Sequence, residues 1–132
     1  MASRTEKHAL QLAVALGSLV PIGAGAAGVL LGPRMLGAAT VPAADLDSHF
    51  RYLSGLLLAI GLGYASTIPR IETHGSRFRL LTCIVVVGGC GRLLAMLQDG
   101  FASRVMTAAL VMELLVTPGL ALWQLRMAHR AS

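Results

Sequence analysis

Four long apolar stretches dominate this sequence of 132 residues and constrain its fold more than any other feature. They lie at about residues 9–31, 48–68, 78–97 and 103–125. Each is close to the roughly 20 residues that an α-helix needs to cross the hydrocarbon core of a bilayer. Backbone N–H and C=O groups find no water in that core, so segments of this kind cross it as helices. The sequence therefore predicts an all-α fold, a single domain in which four transmembrane helices form a bundle.

Composition agrees with a membrane protein. Hydrophobic residues make up 55% of the chain and charged residues only 13%, and the mean hydropathy is +0.72. These fractions are too apolar for an ordinary soluble domain. The net charge of +5 comes from basic residues that flank the apolar stretches, with no basic stripe interleaved with aromatic residues. We therefore expect the lipid bilayer as a partner, and no nucleic acid.

The basic residues also predict the orientation. Loops with an excess of Lys and Arg face the cytoplasm. Most of the basic residues precede the first span, separate the second span from the third, or follow the fourth. Both termini are therefore expected in the cytoplasm, as in a multi-pass protein of the inner (cytoplasmic) membrane. The basic residues of this group are Arg4, Lys7, Arg70, Arg77, Arg79, Arg126 and Arg130.

Small and polar residues predict local features of the spans. Gly28 and Gly32 have the spacing at which small residues let two membrane helices approach closely. Asp47 or Ser48 is a suitable N-cap for the second helix. Pro118, inside the fourth span, is expected to kink it.

Two cysteines, Cys83 and Cys90, lie in the third span. Seven residues of helix separate them by roughly 10 Å along the axis, too far for a disulfide. We therefore interpret both as small, buried packing residues.

Two ionisable residues lie where lipid makes a charge costly. Arg92 is roughly 8 Å inside the outer end of the third span, and Glu113 is roughly 12–15 Å inside the fourth. A charge in the hydrocarbon costs about 2.5–3.5 kcal/mol on insertion scales, so each group requires a partner. The difference in depth is within the reach of an arginine side chain, which predicts an Arg92–Glu113 pair. A snorkelling Arg92 and a purely structural ion pair are the alternatives.

Three polar residues begin the second span at a similar level, namely His49, Arg51 and Tyr52. Together with Arg92 and Glu113 they predict a polar, ligand-binding pocket in the extracytoplasmic half of the bundle. Arg51 and Tyr52 can equally be interfacial anchors, and His49 a capping residue.

Several chemistries lack their residues. His49 is the only histidine inside a predicted span, so one chain cannot supply a buried bis-histidine haem site. No Cys/His cluster has zinc spacing, and no phosphate-binding glycine motif follows a strand. We therefore predict no metal and no cofactor.

Motifs in the spans carry a family resemblance. The most specific are D-S-H-F-R-Y-L-S-G, which starts at Asp47, and G-G-C-G-R-L, which starts at Gly88; Gly32-Pro33-Arg34 and Glu113-Leu114-Leu115 add to them. Over nearly its whole length the chain resembles a group of small four-helix bacterial membrane proteins catalogued as a domain of unknown function. Their layout is similar to that of DoxX/DoxD-like proteins. The resemblance implies a fold and a membrane location, but no activity.

Two functions remain open. The favoured hypothesis is a small ligand-binding or accessory membrane protein, with a lipidic or quinone-like ligand and, as partners, further copies of itself or a larger membrane complex. The alternative is an intramembrane isomerase, cyclase or epoxide-opening enzyme that acts on a small apolar substrate. Glu113 would then be the catalytic acid or base, with Arg92 and Arg51 stabilising developing negative charge.

Overall fold

The computed structural model describes residues 4–37, 43–100 and 103–131, and these residues form helices and short connections without a β-strand. Four of the helical segments are long and apolar enough to cross a membrane, which confirms the predicted all-α class and a multi-pass membrane protein. The four segments are Arg4–Leu36, Ala44–Arg70, Gly75–Asp99 and Arg104–Arg130.

The first three segments contain one long α-helix each. The first and second also end in a short 3-10 helix, Gly32–Leu36 and Ile68–Arg70. The connection predicted after the first span is described only as far as Gly37; the residues at 38–42 lie outside the described part. The long helices are α1 (Arg4–Leu31), α2 (Ala44–Ala65) and α3 (Gly75–Asp99).

The fourth segment consists of three pieces. It starts as α4 (Arg104–Val111), continues through one wider turn at Met112–Val116, here called the π segment, and ends as α5 (Thr117–Ala131). The Ser103 hydroxyl caps the start of α4 by accepting a hydrogen bond from the Met106 N–H. A regular α-helix therefore does not run through the position where the sequence predicts a proline kink.

Contacts within the chain group into two compact units. One, Leu12–Ile68, contains most of α1 and all of α2, and we call it the first-pair unit. The other, Met1–Gln11 with Pro69–Ser132, contains the start of α1, α3 and the fourth segment, and we call it the second-pair unit.

Glycines bring α1 and α2 together in the first-pair unit. A Cβ atom added to Gly25 would lie 2.5 Å from the Leu58 backbone nitrogen, and one added to Gly28 would collide with the Ser54 hydroxyl. From the other side, a Cβ on Gly61 would lie 2.9 Å from the Ile22 backbone nitrogen. The predicted packing role of Gly28 is confirmed, because small residues are what lets two helix backbones come this close.

The predicted N-cap of the second helix is wrong. The helix begins at Ala44, with Ala43 as N-cap and no side-chain capping bond. Asp47 donates its backbone N–H to the Ala43 carbonyl and so belongs to the first turn. The helix starts earlier because a carboxylate is favourable inside the first turn, near the positive end of the helix dipole. Asp47 is also needed there to contact a residue one turn further along.

The interpretation of the cysteines as buried is also wrong, because Cys83 and Cys90 are both free and exposed. They lie on the same face of α3 as Leu80, Val87 and Leu94, which are 62%, 71% and 55% exposed. In a membrane this apolar face contacts lipid, so its residues satisfy the hydrophobic pattern without packing inside the protein.

Candidate functional site

The predicted pair of Arg92 and Glu113 forms in the second-pair unit. Arg92 donates from Nε to Glu113 Oε2 at 2.9 Å and from Nη2 to Oε1 at 3.0 Å. Two parallel bonds between a guanidinium and a carboxylate are the strongest arrangement that such a pair can adopt. The side chains keep 33% and 20% of their exposure. Both charges are compensated, and Arg92 does not use its reach to snorkel to the interface.

Gly89 gives the fourth segment access to α3. A Cβ atom added to Gly89 would lie 2.8 Å from Leu114 Cδ2 and 3.0 Å from Glu113 Cβ. The neighbouring Gly88 and Gly91 have nothing within 4 Å of such an atom. Only Gly89 of the glycine cluster is therefore required to be small for the approach of Glu113.

A third donor of Arg92 has a weaker partner. Nη1 lies 3.0 Å from the Met106 Sδ atom. A thioether sulfur is a weak hydrogen-bond acceptor compared with oxygen. The guanidinium therefore satisfies two directions with a carboxylate and leaves the third to an atom that a better acceptor can replace.

Glu113 lies in the π segment, which the sequence did not predict. The Thr117 N–H and the Thr117 hydroxyl both donate to the Met112 carbonyl, the hydroxyl at 2.8 Å. Pro118 follows, and its ring would collide with the Leu114 carbonyl in a regular α-helix. The wider turn relieves this collision and fixes the direction in which Glu113 leaves the helix. Single turns of π-helix inside α-helices are frequent at functional sites.

Arg51 has a different set of partners, all in the first-pair unit. Its Nε and Nη2 atoms donate to Asp47, at 2.8 and 3.3 Å, and Nη1 donates to the carbonyls of Val29 and Leu30, at 2.6 and 3.0 Å. These carbonyls belong to the last turn of α1, where no further helical N–H is available. Arg51 therefore closes the end of α1, and the sequence gave no sign of these backbone partners.

Gly32 makes the contact between Arg51 and the end of α1 possible. Its φ of +62° is a conformation that side chains rarely adopt, and a Cβ atom there would collide with the Asp47 carboxylate. Gly32, Asp47 and Arg51 are thus one structural unit, which we call the Arg51 clasp. The family motifs that begin at Gly32 and Asp47 meet in it.

The remaining predicted site residues, His49 and Tyr52, are exposed, Tyr52 by 63%. They share the first-pair unit with Arg51, whereas Arg92 and Glu113 belong to the second-pair unit. A pocket common to all five stays a prediction.

A polar cluster near the chain termini was missed by the sequence analysis. Lys7 donates to Glu72 Oε1 at 2.7 Å, and this bond lowers the pKa of the Glu72 carboxyl below its ordinary value. Glu6 accepts from Trp123 Nε1 at 3.4 Å. The fully buried Gln124 donates to the Ile71 carbonyl at 2.8 Å. This terminal cluster joins residues 65 and 117 positions apart, and opposite charge on loop residues was its only sequence signal.

The described residues contain no group of three or more His, Cys, Asp or Glu side chains arranged to hold a metal ion. The chemistry available at the ion pair is that of a guanidinium, a carboxylate and a thioether. Such a set binds hydrogen-bond acceptors and can exchange a proton.

Residues 9–124 match a family described as Domain of unknown function (DUF4345). No curated protein and no solved structure matches the chain. The predicted likeness in layout to DoxX/DoxD-like proteins stays a prediction.

Proposed function

The chain belongs to the DUF4345 family, a domain of unknown function, and we propose that it is a membrane-embedded binding component for a neutral amphiphile. The ligand carries an oxygen acceptor on an apolar body, as a quinone or an ester lipid does. Its acceptor oxygen binds Arg92 at the edge of the ion pair.

The observation that carries this proposal is the contact between Arg92 Nη1 and Met106 Sδ. A carbonyl oxygen is a stronger acceptor than a thioether, so a ligand oxygen gains by taking the place of the sulfur. A hydrogen bond to a charged donor contributes about 1.5–3 kcal/mol. Arg92 remains a third exposed, which leaves its edge open to a ligand.

Charge selects a neutral ligand. Arg92 and Glu113 together are electrically neutral while they pair. An anionic head group would add an uncompensated charge inside the span, at a cost of about 2.5–3.5 kcal/mol. A neutral acceptor adds none.

The predicted ligand role of Arg51 is not part of this proposal. Its donors already bind Asp47 and the end of α1, so a ligand would have to break the Arg51 clasp. His49 and Tyr52 stay candidate ligand contacts.

Equilibrium binding of decyl-benzoquinone to the protein in lipid nanodiscs tests the proposal, with mass spectrometry of co-purifying compounds to separate quinones from ester lipids. The double variant Arg92→Leu/Glu113→Leu leaves no unpaired charge, and we expect it to lose at least about tenfold in affinity. Arg104→Leu removes an exposed arginine at the start of α4 and serves as the matched control. Equal affinity in the wild type and the double variant contradicts the proposal.

An intramembrane enzyme is the second candidate, favoured by the position of Glu113 in the π segment. The carboxylate would act as the general base on an apolar substrate after it leaves Arg92. Glu113→Gln keeps the shape of the side chain and removes the base. If this variant converts a candidate substrate at the rate of the wild type, the enzymatic alternative is wrong.

We also propose the inner (cytoplasmic) membrane as the location, with both termini in the cytoplasm. The support is the set of basic residues at the ends of the chain and between α2 and α3, since such residues stay on the cytoplasmic side. A C-terminal fusion to green fluorescent protein should fluoresce, and a fusion to alkaline phosphatase should be inactive. The reverse pair of results contradicts the orientation.

A further inference from the structure

We propose that the π segment is a register switch that holds or releases the Arg92–Glu113 pair and so regulates ligand binding. The inference rests on the proposed function, because it concerns regulation of the same site. It begins from Glu113, which lies inside Met112–Val116.

The π register is held by two neighbouring residues. Thr117 directs both its N–H and its hydroxyl to the Met112 carbonyl. Pro118 has no N–H, so it cannot supply the bond that would draw the turn back into a regular α-helix. Thr117 therefore stabilises the wide turn, and Pro118 destabilises its alternative.

A change of register moves Glu113. Successive residues of an α-helix are about 100° apart around the axis, so a wide turn that migrates past a residue turns its side chain by about that angle. Glu113 Cβ now faces Gly89 closely enough for bidentate pairing with Arg92. After the change the carboxylate points away from α3, and Arg92 loses both of its bonds to it.

Loss of the pair changes the ligand site. Arg92 then carries an uncompensated charge and extends toward the interface, as isolated arginines in membrane helices do. The donor that binds the ligand oxygen leaves with it. The π register is thus the binding state and the α register the release state, and a ligand that binds only the former shifts the population toward it.

Solid-state NMR of the ligand-free protein in bilayers tests the first step. We expect Pro118→Ala to change the carbonyl shifts of residues 112–116 to regular α-helix and to change the Arg92 side-chain nitrogen shifts. Thr117→Val should cause a smaller change of the same kind. The matched controls are Pro21→Ala inside α1 and Thr107→Val, whose hydroxyl bonds the Ser103 carbonyl in α4; both should leave these shifts unchanged.

Decyl-benzoquinone binding in nanodiscs tests the second step. We expect Pro118→Ala to weaken binding by about tenfold, the effect of losing one hydrogen bond to a charged group. The switch is wrong if Pro118→Ala keeps the π register and the ion pair, or if it adopts the α register and binds as tightly as the wild type. If the wild type binds no quinone while Pro118→Ala breaks the pair, the proposed function fails and the coupling between register and ion pair stands.

Discussion

At the scale of single residues, the protein places two arginines inside spans and gives them different tasks. Arg92 pairs with one carboxylate across two helices, whereas Arg51 combines a carboxylate with the carbonyls that end α1. Both contacts are forked, which a lysine cannot reproduce. The ligand proposal depends on Arg92 alone, because only this residue spends a donor on a thioether.

Removal of one partner of the Arg92–Glu113 pair should cost more than removal of both. We expect Glu113→Leu to lower the free energy of unfolding by about 3 kcal/mol, because it leaves Arg92 unpaired in the span. Arg92→Leu/Glu113→Leu should recover most of this loss. Unfolding by steric trapping in bicelles measures both. Equal losses in the single and double variants would show that the pair carries no coupling.

The Arg51 clasp should require an arginine. Arg51→Gln and Arg51→Lys both remove the fork that bonds Asp47 and the end of α1 at the same time, so both should lower the unfolding temperature. Asp47→Asn should have a smaller effect, because the contacts of Nη1 to α1 remain. The control is Arg34→Gln, at an exposed arginine of the adjacent 3-10 helix. Full stability of Arg51→Lys would contradict a forked contact.

At the scale of elements, the helices approach through a few positions where only glycine fits. In the first-pair unit these positions are Gly25, Gly28 and Gly61; in the second-pair unit Gly89 does the same. The sequence shows many more glycines than these, and the spacing of Gly28 and Gly32 singled out only part of the contact. Which glycines face a neighbour depends on the rotation of each helix about its axis.

Two glycines of α1 provide a matched test of this packing. A Cβ atom on Gly25 would lie 2.5 Å from the Leu58 backbone, whereas one on Gly23 would have nothing within 4 Å. We expect Gly25→Ala to destabilise the protein by about 1–3 kcal/mol, because backbone atoms cannot move aside as a flexible side chain does. Gly23→Ala should be neutral or slightly stabilising, because alanine favours the helix. Unfolding in bicelles compares the two, and equal stabilities would contradict the close approach of α1 and α2.

At the scale of the whole molecule, the start of the chain is tied to later segments through the terminal cluster. Lys7 binds Glu72 in the loop before α3, and Glu6 contacts Trp123 and Arg130 in α5. The second oxygen of Glu72 and one oxygen of Gln124 are buried without a hydrogen-bond partner. The hydrogen-bonding groups near the termini are therefore incompletely satisfied, so the Lys7–Glu72 contact matters for holding the segment.

Stability should fall in acid through Glu72. Its pKa is lowered in the folded protein by the bond from Lys7 and is near the ordinary 4.5 when unfolded. The carboxylate thus stabilises the fold above pH 4.5, and this contribution disappears as the pH falls through the lowered pKa. Glu72→Gln should reduce the slope of unfolding temperature against pH in this range. Asp99→Asn, at an exposed carboxylate, is the control; an unchanged slope in Glu72→Gln contradicts this role.

The sequence by itself determined the four spans and the pairing of Arg92 with Glu113. Apolar length and the cost of a charge in lipid are properties of each segment, and they required no knowledge of how the helices pack. Only the tertiary structure decided the Arg51 clasp, the π segment and the terminal cluster. Each depends on the rotation and register of a helix and on backbone carbonyls that no residue identity marks. The apolar face of Cys83 and Cys90 shows the same limit, because a lipid-facing residue and a buried one have the same hydrophobicity.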